Sequence, residues 1–348
     1  MGEEMKKILM IVCLSLVIFA LLFIGTDNDR DITLVAVGDI LLDRGVRRSI
    51  ERHDRNYPYL NVQEYFQKGD ISFANLECPL TPGGTSVLKD RTLIFKGDIE
   101  NGRVLKEVGF TILNLTNNHT LDYGPEGLVD TLEVLKENGI FSLGVGLNAQ
   151  EARQPVFISI KGSTIGFLGY SQFPPEGYFY FPDRPEVARI DPDLMPEEIT
   201  RAKESCDFLV VSFHWGKEYD FYPSEQQKAL AHLAVDSGAD LILGHHPHVL
   251  QSIEQYQDKL IFYSLGNFVF DRQIQPGADE TVILNLKISK GQWQEAILIP
   301  VKIIDCQPTP VDGEEGEQIL RRLQKYSEGR NSFMVIRDEK GYIVPLSY

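Results

Sequence analysis

The chain has 348 residues, 43% of them hydrophobic, and a formal net charge of −16. That length can bury a large core, as one α/β domain or one domain with a small appendage. The acidic balance argues against nucleic acid or an anionic membrane surface as the main partner and is compatible with a cation site. The four cysteines, Cys13, Cys78, Cys206 and Cys306, show no C-x-x-C spacing, so they read as buried thiols rather than a structural zinc site.

Lys6 and Lys7 precede an apolar run from Ile8 to Ile24, about the shortest length that crosses a bilayer as a helix. The flanking positive charges should stay cytoplasmic and send the remainder outside. No small-x-small cleavage site follows the run, and Ile11 and Val12 are too large for a lipoprotein site at Cys13. The expectation is an uncleaved signal-anchor: a cytoplasmic stub at 1–7, a single transmembrane helix at 8–24, a linker at 25–31 and an extracellular domain in the cell membrane.

Ile32 to Val37 reads as a strand ending at Gly38-Asp39, and Arg44 to Glu51 as a short helix. Ile71 to Leu76 is a second strand, ending at Glu77-Cys78-Pro79. Pro82-Gly83-Gly84 opens a loop that runs to about Lys96. Asp98 is placed to cap a helix from Ile99 to Val108. Phe110 to Leu115 fits a buried strand that runs out into Asn117, Asn118, His119 and Asp122, and Pro125 opens a helix to Asn138. Ile140 to Val145 is another strand. Val156 to Ile160 and Thr164 to Tyr170 form a predicted hairpin, and Ser171 to Pro196, rich in Pro and aromatics, a long surface excursion near the site. A helix follows from Pro196 to Ser205. Phe208 to Phe213 is a strand ending in His214-Trp215-Gly216. Ser224 caps a helix to about Asp236. Asp240 to Leu243 ends in Gly244-His245-His246-Pro247-His248, and Leu260 to Leu265 in Gly266-Asn267. Long alternating strands (Thr281 to Ile288, Trp293 to Ile304) and a terminal helix near Glu315 to Tyr326 complete the pattern. The predicted domain covers 32–304, with the helix and tail of 305–348 packing on it.

Strand after strand thus ends in a residue of metal-ligand or acid/base type: Asp39, Glu77, Asn118 with His119, His214, then His246 and His248. Open α/β sheets place their sites at that edge. The chain has seven histidines, and only His53 and His232 fall away from these ends, where they read as surface and structural residues. Carboxylate and imidazole together suit Zn, Mn or Fe, and an amide oxygen is a tolerable further ligand. Two such metals sharing a carboxylate can clamp a phosphate ester and activate water. His119 could then protonate a leaving group, with Asp122 fixing its tautomer. Each residue alone has an ordinary alternative as a turn or packing residue; the H-x-H of His246 and His248 is the strongest single signal.

At these residues the sequence resembles the CapA family, the poly-γ-glutamate capsule biosynthesis proteins, a branch similar to the calcineurin-like metallophosphoesterases. The resemblance covers roughly Ile32 to Asp271. It rests on Val37-Gly38-Asp39, Asn75-Leu76-Glu77, Thr116-Asn117-Asn118-His119 with Asp122 and Gly124, His214-Trp215-Gly216 with Glu218-Tyr219, Gly244 to Val249, and Ser264-Leu265-Gly266-Asn267-Phe268. It implies a four-layer α/β/β/α sandwich of metallo-dependent phosphatase type, with Asp39, Glu77, Asn118, His214, His246 and His248 as metal ligands. His119 and Asp122 are then the catalytic pair, and Asn75, Lys96, Glu218 and Asn267 are assigned to substrate contact. Within the H-x-H block the spacing selects His246 over His245. The sequence departs from the phosphoesterase pattern in two places: Ile40 and Leu41 replace the rest of an Asp-x-His block, and Glu77 replaces an aspartate. One or two divalent ions therefore remain open.

The resemblance implies a membrane-anchored protein that serves poly-γ-glutamate synthesis, export or attachment. Its chemistry is either hydrolysis of a phosphoester or γ-glutamyl amide, or binding without turnover as a subunit of a membrane synthase complex. Binding poly-γ-glutamate or another acidic polymer needs local positive charge, which Lys89, Arg91, Lys96 and Lys217 are placed in loops to supply.

Overall fold

The computed structural model describes residues 31–271, 274–331 and 334–345. The expected stub, membrane span and all but the last residue of the linker lie outside the described residues. Among the described residues, no helix is long and apolar enough to cross a membrane.

The strands in chain order are β1 (Ile32–Ile40), β2 (Ile71–Leu76), β3 (Ile112–Asn114), β4 (Phe141–Leu143), β5 (Val145–Gly146), β6 (Val156–Ile160), β7 (Ser163–Ser171), β8 (Glu186–Val187) and β9 (Phe208–His214). There follow β10 (Leu241–His245), β11 (Ile253–Tyr256), β12 (Lys259–Phe262), β13 (Asn267–Val269), β14 (Glu280–Ser289), β15 (Gln292–Ile304), β16 (Gln307–Pro310), β17 (Met334–Arg337) and β18 (Lys340–Ile343). Ten of them form one sheet in the order β17-β18-β15-β14-β1-β2-β3-β4, with β13 also on β1 and β16 on β15. Six form a second sheet, β11-β12-β10-β9-β7-β6. In each sheet the strands that end at polar residues run parallel to one another: β1 to β3 in the first, β9 and β10 in the second.

Side chains alternate across a strand, and both faces of these strands are covered, so the central strands are apolar almost throughout. One face of each sheet meets the other sheet. Leu34, Ala36, Phe73 and Ile112 pack there against Phe167, Val210, Leu241 and Leu243. The outer face of the ten-stranded sheet, with Val35, Val37 and Leu113, packs on Val46, Phe66, Leu105 and Leu128. Those four belong to the helices Arg44–Arg52, Gln63–Lys68, Asn101–Val108 and Gly124–Glu137. The outer face of the six-stranded sheet packs Leu209, Val211 and Ile242 on Ile199, Ala231 and Ala234, from the helices Met195–Lys203 and Glu225–Asp236. The layers are helix, sheet, sheet, helix.

Some local expectations differ from the structure. The helix expected from Ile99 starts at Asn101, and Asp98 closes the preceding turn by accepting the Glu100 N–H at 3.0 Å. Ser224 does cap its helix, in a reciprocal box with Gln227. The stretch expected at 140–145 is split at Gly144, whose φ is +75°. The C-terminal part is more than a helix and tail: β16, β17 and β18 extend the ten-stranded sheet, so a boundary at 304 cuts through that sheet. The helix Gly313–Tyr326 sends Ile319, Leu320 and Leu323 into the inter-sheet core. Cys78, Cys206 and Cys306 are free thiols.

The two sheets are tied together at one end. After β12 the chain leaves the six-stranded sheet, and β13 pairs with β1 of the other, setting Asn267 beside Asp39. Gly38 makes this possible, because a Cβ there would lie 1.9 Å from the Gly266 carbonyl oxygen. Phe73 and Phe167 stack across the interface with ring centroids 6.2 Å apart, and Phe73 is fully buried. Phe73→Ala should destabilise the domain by about 3–5 kcal/mol in chemical denaturation; a cost near zero would mean that the sheets do not depend on this contact.

Candidate metal centre

All six residues expected as ligands come to the tied end of the sandwich. Asp39 lies on β1, Glu77 just after β2, Asn118 in the loop after β3, His214 at the end of β9, and His246 and His248 just after β10. Asp39 and His214 have no exposed surface, and the other four are buried at 1–8% exposure. The loops that aim them are strained. His246 and His248 have φ of +95° and +58°, a conformation that costs a non-glycine residue about 1–3 kcal/mol and survives only where surrounding contacts impose it.

Two donor sets share Glu77. Its carboxylate groups with His214 and His246 on one side and with Asp39 and His248 on the other, ligand atoms in each set lying within 4.8 Å of one another. On the first side, His214 Nε2 lies 2.8 Å from Asn118 Oδ1, 3.1 Å from His246 Nδ1 and 3.7 Å from Glu77 Oε1. On the second, His248 Nδ1 lies 3.4 Å from Asp39 Oδ2 and 3.9 Å from Glu77 Oε2. Neither oxygen of Glu77 has a hydrogen-bond partner, although the residue is buried. A buried carboxylate left without hydrogen bonds is costly. Convergent lone pairs with few protons among them repel unless a cation lies between, and this oxygen and imidazole set suits Zn, Mn or Fe. The residues therefore fit a divalent metal.

The electrostatics follow from this crowding. Burial pushes Glu77 up to about 8, with the neighbouring Asp39 charge adding to it. Burial would also raise Asp39, but hydrogen bonds from His245 and His248 and the charges of both hold it well below the usual carboxylate range. Burial, then the His248 charge, pushes His246 down to about 3. Burial and the neighbouring His246 likewise hold His214 well below the ordinary imidazole value. His248 moves the other way, to about 9: burial lowers it, but the charge of Glu77 and the hydrogen bond to Asp39 outweigh burial.

His119 sits beside the cluster in a separate network. Its Nδ1 lies 3.0 Å from Asp122 Oδ2, which also accepts the Phe95 N–H at 2.7 Å. The Lys89 ammonium bonds Asp122 Oδ1 at 2.6 Å with only 8% of its side chain exposed. The shorter contact, to a carboxylate that only accepts, favours the proton on Nδ1, although the Lys89 ammonium also lies 3.3 Å from that nitrogen. Burial outweighs Asp122 and holds His119 below its ordinary value. The Phe95 ring packs on His119 at 4.2 Å and the Phe173 ring on His246 at 4.3 Å. Phe173 comes from the long excursion after β7, which also donates the Glu176 N–H to the Asn118 carbonyl.

The residues expected at the substrate are placed differently. Asn75 and Asn267 have no exposed surface. Asn75 donates to Asp39 Oδ1 at 2.9 Å and accepts from Asn114 at 2.8 Å. Asn267 is pinned by the Ala278 carbonyl, and its Oδ1 lies 2.9 Å from His248 Nδ1. Both orient ligand candidates, as outer partners of metal ligands do. The Lys96 ammonium bonds the Pro82 carbonyl and lies over Tyr123, lining a cavity with Arg47, Arg55 and Asp98 rather than the donor sets. Glu218 alone of the four joins the cluster, beside His246 and His248. Of the loop cations, Lys89 is taken up by Asp122 and Lys217 pairs with Asp220, while Arg91 is exposed.

Sequence reasoning missed three contributors. His245 bonds Asp39 Oδ1 at 3.2 Å. Lys89 read as a free loop cation. Arg44, at φ +49°, pairs with Asp271 and stacks over Phe95 and Phe270 with its charge felt at Glu77. Only the H-H-P-H run hinted at the first. His232 bonds Glu254 and stacks on Tyr256, and His53 is an exposed residue stacked on Tyr57.

The family described as bacterial capsule synthesis protein PGA_cap matches residues 33–272, which hold every residue of the two donor sets. Capsule biosynthesis protein CapA of Bacillus anthracis is 35% identical over 308 residues, covering 86% of this chain and 74% of that protein. PGA biosynthesis protein CapA of Bacillus subtilis (strain 168) is 34% identical over 307 residues, covering 87% of this chain and 80% of that one. Among solved structures, a hypothetical protein from Thermus thermophilus aligns over 78% of this chain and 99% of its own, with a TM-score of 0.48 and 17% identity. On the match over residues 33–272 and the identity to both CapA proteins, the chain belongs to the PGA_cap family of bacterial capsule synthesis proteins.

Proposed function

We propose that this chain is a metal-dependent hydrolase serving poly-γ-glutamate capsule synthesis, tethered to the cell membrane by Ile8 to Ile24 with its domain outside. The observation that carries the chemistry is the Glu77 carboxylate, buried without a hydrogen bond between two sets of imidazole and oxygen donors. The polymer assignment rests on the family and on the two CapA relatives. The anchor rests on the apolar run and the lysines before it.

Asp39, Glu77 and His248 would hold one ion, and Glu77, Asn118, His214 and His246 a second. Bound there, divalent ions polarise an ester or amide oxygen and make water a better nucleophile near neutral pH. The chain's own residues do the rest. His119 would serve proton transfer to the leaving group through the ring nitrogen that Asp122 does not hold. Asp122, itself held by Lys89, orients the ring, and Phe95 and Phe173 shield the imidazoles from water. A polyanion approaching a chain of net charge −16 needs positive charge at the site. Lys89, Lys96 and Lys217 have internal partners, so bound ions and the exposed Arg91 would supply it.

Metal content of the full chain, purified without chelator, tests this reading, together with assays on a phosphodiester and on γ-glutamyl oligomers with Mn or Zn. The His246→Ala, His248→Ala double variant should lose metal and turnover together. His119→Ala should keep its metal and lose about 10²–10⁴-fold in rate. A metal-free wild type without turnover would defeat the hydrolase and leave a binding role in a synthase complex. For the topology, protease added to intact cells should remove the domain; protection of the domain would place it inside.

A further inference from the structure

The donors named so far are all buried. Glu77, Asn118, His214 and His246 surround one position; Asp39, Glu77 and His248 surround the other, with Asn267 Oδ1 2.9 Å from His248 Nδ1. Ile40 and Leu41, which follow Asp39 on β1, are buried in the apolar core beneath the helices, and Asn75 and His245 bond Asp39.

Glu218 lies at the exposed edge of the cluster, beside His246 and His248. Its ligand oxygen falls within 4.8 Å of donor nitrogens on both His246 and His248. Its side chain has no hydrogen bond or ion pair with any described residue, and the adjacent Lys217 is drawn to Asp220 instead. Its backbone is held from both directions. Gly216 donates to Gln172 Oε1 at 3.0 Å, Tyr219 donates to the Pro247 carbonyl at 2.8 Å, and Gln251 holds the Asp220 carbonyl at 2.7 Å. Tyr219 takes a strained φ of +65° in the process. The segment is thus fastened to the same turn that presents His246 and His248.

We propose that Glu218 is a metal ligand, the exposed donor of the centre on the side of His246 and His248. The assignment rests on the reading of the cluster as a metal centre. It replaces substrate contact as the role of this residue. Glu218 is exposed where the other donors are buried, so it is the donor that an incoming substrate oxygen can displace without disturbing the core.

The test is metal stoichiometry and the spin spectrum of the full chain loaded with Mn(II), for wild type, Glu218→Ala, the near-isosteric Glu218→Gln, His248→Ala and His214→Ala. Wild type should hold two ions with an exchange-coupled spectrum. Both Glu218 variants should lose one ion and show an isolated Mn(II) signal, as His248→Ala does, and their unfolding in chelator should match wild type. His214→Ala should lose the other ion. If the Glu218 variants keep both ions and the coupled spectrum while His248→Ala loses one, Glu218 is not a ligand and the metal centre stands. If wild type holds one ion that the Glu218 variants retain, the proposal also fails. Wild type without any ion would overturn the metal centre and this ligand with it.

Discussion

The structure depends on a carboxylate placed where a carboxylate should not be. Glu77 is buried, ringed by Asp39 and three imidazoles, and unbonded at both oxygens. Removing such a group from water costs several kcal/mol unless charge of the opposite sign is close. Around it, the fold brings three parallel strands of one sheet and two of the other to a common edge. It accepts left-handed backbone at His246 and His248, and it sets Asn75, Asn267 and His245 against the carboxylate and imidazole neighbours. A merely structural site would not need this much internal fixation of groups that repel one another.

Much of this was legible in the sequence because the signal is periodic and local. A buried parallel strand is an apolar run of a few residues, and the polar residue that ends it stands out against that run. Five such endings, holding most of the chain's histidines, located the cluster without any knowledge of strand order. The helix cap at Ser224 and the first-turn proline at Pro125 are likewise written in adjacent residues. What stayed hidden depends on contacts between distant positions. Asn75 and Asn267 looked like site residues and are site residues, but their direction is set by Asp39, Asn114 and Ala278, which lie 11 to 39 positions away. Lys89 looked like a free surface cation because nothing near it in sequence announces Asp122. The short strands β13 and β16 to β18 carry little alternation of their own and are strands because a neighbour offers an edge.

The network on His119 has its own logic. Asp122 is fully buried, and its charge is met by Lys89 and by the Phe95 N–H rather than by His119 alone. Lys89 and Phe95 both belong to the loop between β2 and the helix Asn101–Val108, and Val87 of the same loop donates to the Asp122 carbonyl. The acid/base residue and the segment that fixes it therefore come from different parts of the chain. Any change that loosens this loop acts on His119 without touching the donor sets.

The donor sets draw on both sheets: Asp39, Glu77 and Asn118 from the ten-stranded one, His214, His246 and His248 from the six-stranded one. An ion held among them is a staple across the layers, set at the end where β13 already crosses over. Such an ion would bind only the assembled sandwich, and its affinity would add to the stability of the fold by mass action. Metal supply would then bear on the stability of the fold, in addition to what the apolar inter-sheet core provides.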